Sequence, residues 1–420
     1  MLQAIGATSV EELFRDIPAS LRDPRLDLPP ALSELELEAE LSALASRNAT
    51  HGDYACFMGG GAYHHFIPAI VRHVTSRGEF ATAYTPYQAE ISQGTLQAIY
   101  EFQSLVCQLT GMDVANAGMY DGASALAEAA LMACRVTGRR KVAWLASLSP
   151  ASQAVVKTYV QALGVEVEFL PGVPASVPGD AACVMLQYPN YFGYVEDLAA
   201  AARAAHSAGA LLVVSVDPIA LGMFRSPGSY DADIVVAEGQ SLGTPPSFGG
   251  PYVGLFACKE RYLRQMPGRL VGRTVDVKGR DGFVLTLQPR EQHIRRERAT
   301  SNICTNEALV ALAATVYLAA LGRQGLRRVA ELCYHKAHYA ANRIASLPGY
   351  SLPLKGVFFK EFAVACPRAP ARTIERLLER KILAGIDISN QVPAGLLVCV
   401  TEMNTREDID RLVAALGELK

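Results

Sequence analysis

The sequence predicts an α/β protein with a large, mostly parallel sheet, a small C-terminal α+β domain and an N-terminal helical arm. Short apolar runs alternate with amphipathic helical segments in the middle of the chain, and 50% of the 420 residues are hydrophobic. Runs that are apolar throughout are typical of parallel strands covered on both faces. We place the boundaries at 1–58 for the arm, 59–322 for the large domain and 323–420 for the small domain.

The predicted elements follow from local patterns. In the arm, Ser9 with Glu12 and Ser33 with Glu36 form capping-box patterns that predict two helix starts. A long amphipathic helix then ends at Gly111. In the large domain we predict helices at 123–136, 151–162 and 195–206, strands at 142–146, 165–170, 182–187, 211–216, 233–237 and 252–258, and a hairpin at 271–287.

Toward the C-terminus, we predict an apolar helix to residue 321, a second at 324–344, a strand at 356–364, a helix at 373–383, a strand at 396–401 and a helix at 406–419. A large α/β domain followed by a small α+β domain is the architecture of the aminotransferase-like class. Fold alone does not determine function.

Composition excludes several function classes. The net charge of −2 gives no global electrostatic case for nucleic acid. No uninterrupted apolar run reaches membrane-spanning length, and the first residues lack the pattern of a signal peptide. Nine cysteines are scattered without CxxC spacing, and the histidine pairs lack a metal-binding set around them. We therefore expect a cytoplasmic protein without a metal.

One constellation indicates coenzyme chemistry. A predicted strand ends at Asp217, and the next strand leads into Gln240. In enzymes that use pyridoxal phosphate, an aspartate holds the pyridinium nitrogen and a lysine forms the Schiff base. No lysine occurs between Lys157 and Lys259, and Gln240 stands at the expected lysine position. The chain therefore has the frame of this chemistry without its covalent anchor, which we expect a partner to supply.

Other interpretations of these residues remain open. Asp217 alone could simply cap a turn, and the helix start at Asp121 and Gly122 is either a phosphate site or, preferably, a plain cap. A self-sufficient enzyme could use Lys157 or Lys259, although neither lies where the geometry requires it.

Two polar segments are further candidates. Segment 84–94 places two tyrosines, two glutamines and a glutamate before a helix, which favours a binding edge or subunit contact over a solvated loop. Segment 290–298 is the densest charge run. It is either a solvated helix face or a cationic rim for a carboxylate or phosphate, and its excess of arginine modestly favours the rim.

These segments carry a family resemblance. Segments 84–94, 266–272, 290–296 and 300–305 resemble glycine decarboxylase, the P-protein of the glycine cleavage system, and within it the alpha subunit of the two-subunit bacterial form. The resemblance implies the aminotransferase-like type I pyridoxal-phosphate fold. It also implies decarboxylation of glycine and transfer of the aminomethyl group to the lipoyl arm of the H-protein.

The resemblance further implies that the coenzyme and its lysine lie on a beta subunit, in an assembly of two copies of each subunit. We expect Arg290, His293, Arg295 and Arg296 to line the mouth of the partner's active site. The residues expected to reach substrate or subunit interface are Thr85, Tyr87, Gln88, Glu90, Ser92, Ser301 and Asn302. The alternative function is a non-catalytic assembly or regulatory subunit on an inherited fold.

Overall fold

The structure is a computed structural model that describes residues 1–303 and 306–419. Cys304 and Thr305, which end the fourth resembling segment, and the terminal Lys420 lie outside the described residues.

The described helices and strands alternate along most of the chain. The strands are β1 (Ala55–Cys56), β2 (Val114–Ala115), β3 (Lys141–Leu145), β4 (Glu166–Leu170), β5 (Ala181–Tyr188), β6 (Leu211–Val216), β7 (Ile234–Glu238), β8 (Gly254–Cys258), β9 (Leu270–Val275), β10 (Asp281–Thr286), β11 (Glu361–Ala365), β12 (Ile382–Leu383), β13 (Ile386–Asp387) and β14 (Gly395–Cys399). The α-helices are α1 (Glu34–Ala45), α2 (Ala69–Thr75), α3 (Gly78–Ala81), α4 (Gln93–Thr110), α5 (Gly122–Thr137), α6 (Pro150–Gln161), α7 (Leu198–Ser207), α8 (Gln292–Arg295), α9 (Ala308–Ala345), α10 (Pro370–Leu378) and α11 (Arg406–Glu418).

The main sheet has the strand order β2-β8-β7-β6-β5-β3-β4. Strands β3 to β7 pair in parallel, whereas β8 runs antiparallel to both β7 and β2. In β6, Leu212 and Val214 belong to one buried cluster and Leu211 and Val213 to another, so the strand is buried on both faces. The predicted mostly parallel, doubly covered sheet is confirmed.

The carboxyl edge of this sheet positions the candidate site. Tyr188 at the end of β5 pairs with Val216 at the end of β6, and Val216 in turn pairs with Ala237 near the end of β7. Residues that follow β6 and β7 therefore emerge side by side, which is where ligands bind in open α/β sheets.

The C-terminal region forms a smaller α+β layer. Strands β11 and β13 both pair antiparallel with β14. Ile344 of α9, Leu377 of α10 and Leu412 of α11 belong to the buried cluster on this sheet. The predicted α+β character of this region agrees with the structure.

The chain divides into two compact units, Met1–Asp53 and Tyr54–Lys420. The first unit contains no buried residue. Its helix α1 begins at the predicted capping box, in which the Ser33 hydroxyl accepts from the Glu36 N–H and the Glu36 carboxylate accepts from the Ser33 N–H.

Three predicted elements need correction. The pattern at Ser9 yields only a short 3-10 helix, Glu11–Phe14, because the Glu12 carboxylate accepts from the N–H and hydroxyl of Thr8 instead. The helix predicted at 373–383 ends at Leu378, since Lys381 has φ 58° and the chain continues as β12 against β1. The strand predicted at 356–364 begins only at Glu361.

One described helix, α9, is long and apolar enough by composition to cross a membrane. Gly322 interrupts its helical geometry with φ 59° and ψ −174°. Ala314 and Tyr317 are buried in the cluster that covers one face of the main sheet. The apolar character of α9 is therefore that of a core helix.

Candidate functional site

Asp217 lies at the carboxyl edge, directly after β6. Its Oδ1 accepts a hydrogen bond from the Ile219 N–H at 3.0 Å, which holds the turn that follows the strand. Its Oδ2 forms an ion pair of 2.7 Å with Nζ of Lys360, and both side chains are nearly inaccessible. The carboxylate expected to face a pyridinium nitrogen therefore faces a lysine of the same chain.

Lys360 immediately precedes β11 and is 1% exposed. Its Nζ lies 3.4 Å from the centroid of the Tyr63 ring and 3.0 Å from Nε2 of His65. Burial acts to lower the pKa of Lys360, but the charge and hydrogen bond of Asp217, together with the nearby Cys399 and Cys333, leave that pKa above its usual value. The ammonium group is thus held charged between an aromatic face and a carboxylate.

His65 continues the polar network away from Asp217. Its Nδ1 lies 2.7 Å from Oε2 of Glu402. Burial, with the nearby Lys360 ammonium, lowers the pKa of His65, so the ring is neutral and donates from Nδ1 while Nε2 accepts from Lys360. Burial opposes ionisation of Glu402, but hydrogen bonds from His65 and the Phe66 N–H bring its pKa to about 2.

Cys333 completes a group that could in principle ligate a metal, because its sulfur and atoms of His65 and Glu402 lie within 4.8 Å of one another. The Glu402 carboxylate already accepts from His65 and from the Cys333 thiol. The Lys360 ammonium beside the histidine would repel a cation. These contacts favour a hydrogen-bonded cluster over a metal centre.

Gln240 follows β7 at the position expected for a Schiff-base lysine. Its Oε1 accepts from the Tyr63 N–H at 2.8 Å, and its Nε2 donates to the carbonyls of Tyr63 and Thr244 at 3.0 and 2.6 Å. The side chain is 1% exposed. The amide therefore fastens segment 63–65 to the sheet edge and offers no amine.

The start of helix α5 is the candidate phosphate site. Oδ1 of Asp121 accepts from the Ser124 N–H at 2.7 Å, and Oε2 of Glu238 accepts from the Gly122 N–H at 2.8 Å. A Cβ at position 122 would lie 2.7 Å from the Glu238 nitrogen, so only glycine allows this approach. Burial raises the pKa of Glu238 to about 7 despite these hydrogen bonds. The interpretation as a capped helix start is the better one.

Among the described residues, this edge does not fit pyridoxal phosphate. The aspartate is paired with Lys360, the lysine position holds Gln240, and the helix start is bound by two carboxylates. Lys157 lies on α6, where its ammonium group faces the ring of Phe169 in β4. Lys259 follows β8, whose end pairs with the start of β7, so it lies at the opposite edge of the sheet. Neither alternative lysine is near Asp217.

Glu361 makes the stability of the protein depend on pH. Its oxygens accept from the Gly60 N–H at 2.6 Å and the Tyr63 hydroxyl at 2.7 Å, and burial raises its pKa from 4.5 to about 7. The native state therefore binds a proton that the unfolded state has lost between these two values, so the free energy of unfolding falls as pH rises through that window.

We expect Glu361→Gln to remove this fall, which is of the order of 1–3 kcal/mol. The glutamine oxygen can still accept from the Gly60 N–H, and its NH2 can donate to the Tyr63 hydroxyl oxygen, but the amide does not ionise. Urea unfolding of the full chain at about pH 5 and about pH 8 measures the effect. The exposed Glu379→Gln is the control and should keep the slope of the wild type. An unchanged slope in Glu361→Gln would contradict the assignment.

The resembling segments meet in a second cluster. The rings of Tyr87 and His293 lie 5.5 Å apart, and the Tyr87 hydroxyl accepts from Nη2 of Arg269 at 3.0 Å. Arg269 and Glu291 form a buried ion pair at 3.5 Å, and His293 Nδ1 lies 3.5 Å from the same glutamate oxygen. Tyr87 is 50% exposed, so the cluster has a buried base and an open face.

The other predicted site residues divide into inward and outward groups. Arg290 donates to the carbonyls of Met266, Gly268 and Leu287, and therefore holds backbone together. Ser301 accepts from the Ile303 N–H, and Ser92 is the residue before α4. Gln88, Glu90, Arg295, Arg296 and Asn302 are exposed, whereas Thr85 is half-buried.

Sequence reasoning missed several residues of both clusters: Tyr63, His65, Arg269, Lys360, Glu361 and Glu402. A signal existed for two of them, because Lys360 and Glu361 interrupt an apolar run that contains Phe358, Phe359 and Phe362. Adjacent charges inside a strand predicted to be buried, here 356–364, require partners.

The chain matches the glycine cleavage system P-protein family over residues 1–416. It belongs to that family. A probable glycine dehydrogenase (decarboxylating) subunit 1 of Thermomicrobium roseum is 54% identical over 100% of this chain and 96% of the relative.

A crystal structure of glycine decarboxylase (P-protein) of the glycine cleavage system, in inhibitor-bound form, matches with a TM-score of 0.94 at 44% identity. The match covers 100% of this chain and 97% of that one. A C-DES mutant with glycine covalently linked to its PLP cofactor matches at a TM-score of 0.64 and 14% identity, over 88% of this chain and 97% of that one, which shows the fold alone. The predicted family, the type I fold and the function as one subunit of a glycine-decarboxylating enzyme are confirmed.

Proposed function

We propose that this P-protein subunit is the one without the Schiff-base lysine, and that pyridoxal phosphate is carried by a lysine-bearing beta subunit. The observation that supports the proposal is the pair of replacements at the sheet edge, Gln240 at the lysine position and Lys360 on Asp217. When bound to that partner, the coenzyme supplies the electron sink for loss of carbon dioxide from glycine. The remaining aminomethyl group passes to the lipoyl arm of the H-protein.

The contribution of this chain is a polar face. We infer that the open side of Tyr87 and His293 faces the partner's active site, with Arg269 and Glu291 fixing the two rings from below. His293 is exposed enough to exchange a proton with a substrate, since 37% of its side chain is accessible. Arg290 acts as a positioning residue by holding the loop that precedes this cluster.

Arg295 and Arg296 are exposed cations on the same segment. We propose that they attract the glycine carboxylate toward the active-site mouth. Binding that charge tightly would oppose its loss as carbon dioxide, so these arginines should act mainly on substrate capture. The interface residues of the proposal are Thr85, Gln88, Glu90, Ser92, Ser301 and Asn302.

The exposed apolar side chains of the N-terminal arm favour a protein partner. Large apolar side chains of its unit are exposed, among them Leu13, Phe14, Leu26, Leu28, Leu35 and Leu41. Apolar surface of this extent is typical of a protein interface. We propose that the beta subunit covers it, in an assembly of two copies of each subunit.

We further propose a cytoplasmic location without nucleic acid or membrane partners. The net charge of −2 supports it, as does the burial of the apolar helix α9 in the core of the fold.

Reconstitution tests the proposed division of labour. The full chain purified alone is expected to be colourless and to show no glycine–bicarbonate exchange, and addition of the beta subunit should restore both exchange and coenzyme absorbance. Borohydride trapping followed by peptide mapping should find the coenzyme on the partner. Coenzyme covalently attached to this chain, or exchange by this chain alone, would overturn the proposal.

A further inference from the structure

Groups of the chain itself occupy both charged ends of the place where a coenzyme would lie. On the cation side, the Lys360 ammonium pairs with Asp217 at 2.7 Å under the Tyr63 ring. On the anion side, the Glu238 carboxylate accepts from the Gly122 N–H at the start of α5. A pyridinium and a phosphate would need the same two partners.

We propose that Lys360 is a built-in replacement for the pyridinium cation, so that the pocket of this subunit is filled from within. The inference deepens the proposed function, because it rests on the chain's own pocket being free of coenzyme and explains why it stays so. Asp217, Tyr63 and His65 then form a cation site whose occupant is a side chain of the same polypeptide.

The need for a cation follows from what Asp217 does for the backbone. Its Oδ1 holds the Ile219 N–H, so the carboxylate supports the turn after β6 independently of any ligand. With only 9% of its side chain exposed, this charge requires a counterion. A chain that gives up the coenzyme but keeps Asp217 must supply a positive charge, and Lys360 does so from the segment before β11.

The segment that lies over the Lys360 ammonium is held in place at several points. Tyr63 binds Glu361 through its hydroxyl and Gln240 through its backbone, and His65 binds Glu402. The segment that covers the ammonium is therefore held by the sheet edge and by the C-terminal strands together. A coenzyme could enter only if these contacts broke.

Thermal unfolding of the full chain tests the proposal without coenzyme or partner, so its result is independent of the reconstitution. Lys360→Met keeps most of the side-chain volume but leaves Asp217 uncompensated, and we expect Tm to fall by several degrees. The double variant Asp217→Asn with Lys360→Met removes both charges and should recover most of that loss. Lys141→Met is the control, because its partner Asp180 is largely exposed, and should change Tm little.

Chemical rescue gives a second readout. In Lys360→Ala, propylammonium replaces the atoms removed and should raise Tm in proportion to the logarithm of its concentration, whereas propanol should not. The wild type should show neither effect. Equal Tm for Lys360→Met and the wild type, no recovery in the double variant, or equal rescue by propanol would each overturn the proposal. If Lys360→Ala does not fold, the comparison of the two methionine variants still decides.

Discussion

Replacing His293 with alanine is expected to slow glycine–bicarbonate exchange by the reassembled enzyme about hundredfold. The ring centroids of His293 and Tyr87 are 5.5 Å apart, and Nδ1 of His293 lies 3.5 Å from Oε2 of Glu291. The His293 side chain is also partly accessible. In the assembly that we propose, a group so placed can transfer a proton in the partner's active site. His293→Gln should be as slow as His293→Ala, because an amide retains a hydrogen bond but cannot act as an acid or base.

His335 is the matched control. It is exposed, and its ring lies 5.5 Å from that of Tyr334, the same distance that separates His293 from Tyr87. His335→Ala should leave exchange unchanged. Subunit association must be measured for each variant by sedimentation. Exchange within twofold of the wild type in a fully assembled His293→Ala enzyme would favour the non-catalytic assembly role instead.

Loss of Arg269 should produce the largest effect on stability. Arg269 and Glu291 are 5% and 7% exposed, and the guanidinium also donates to Tyr87 and Asn306. Removing one partner of a buried pair typically costs about 3–5 kcal/mol, since the remaining charge stays desolvated. We expect Arg269→Ala to lower the free energy of unfolding by that amount in urea titrations.

Arg273 lies four positions further along and gives a direct comparison. It pairs with Asp281 at 2.7 Å, but both side chains are 58% exposed. Exposed pairs contribute about 0–1 kcal/mol, so Arg273→Ala should unfold almost as the wild type does. Arg269→Met combined with Glu291→Gln should recover more than half of the loss. If Arg269→Ala and Arg273→Ala lowered the free energy of unfolding by similar amounts, burial of the Arg269–Glu291 pair would not be the source of the loss.

Elements with a local signal could be predicted from the sequence. Strand β6 occupies the predicted residues 211–216, and the hairpin of β9 and β10 agrees with the predicted 271–287 to within one residue at each end. An unbroken apolar run and a polar turn specify these elements within a few residues. The start at Ser9 failed because a competing donor, Thr8, captured the carboxylate on which the pattern depends.

The candidate site depended more on tertiary contacts. Sequence reasoning selected Asp217 and noticed the absent lysine, yet it could not find Lys360, which reaches Asp217 from a distant part of the chain. It also treated Arg290 as a rim residue, whereas the structure turns that guanidinium toward backbone carbonyls. Residue type and spacing indicate which side chains are polar, but only packing decides which way each one points.

The exposed leucines of Met1–Asp53 have a consequence for the timing with which the two subunits are synthesised in the cell. In the assembly that we propose, the beta subunit covers these side chains. A chain released from the ribosome before that subunit exists would therefore expose an apolar surface that chaperones and proteases recognise. Matched translation of the two subunits would keep that interval short, so an imbalance in their expression should appear as aggregation of the surplus chain.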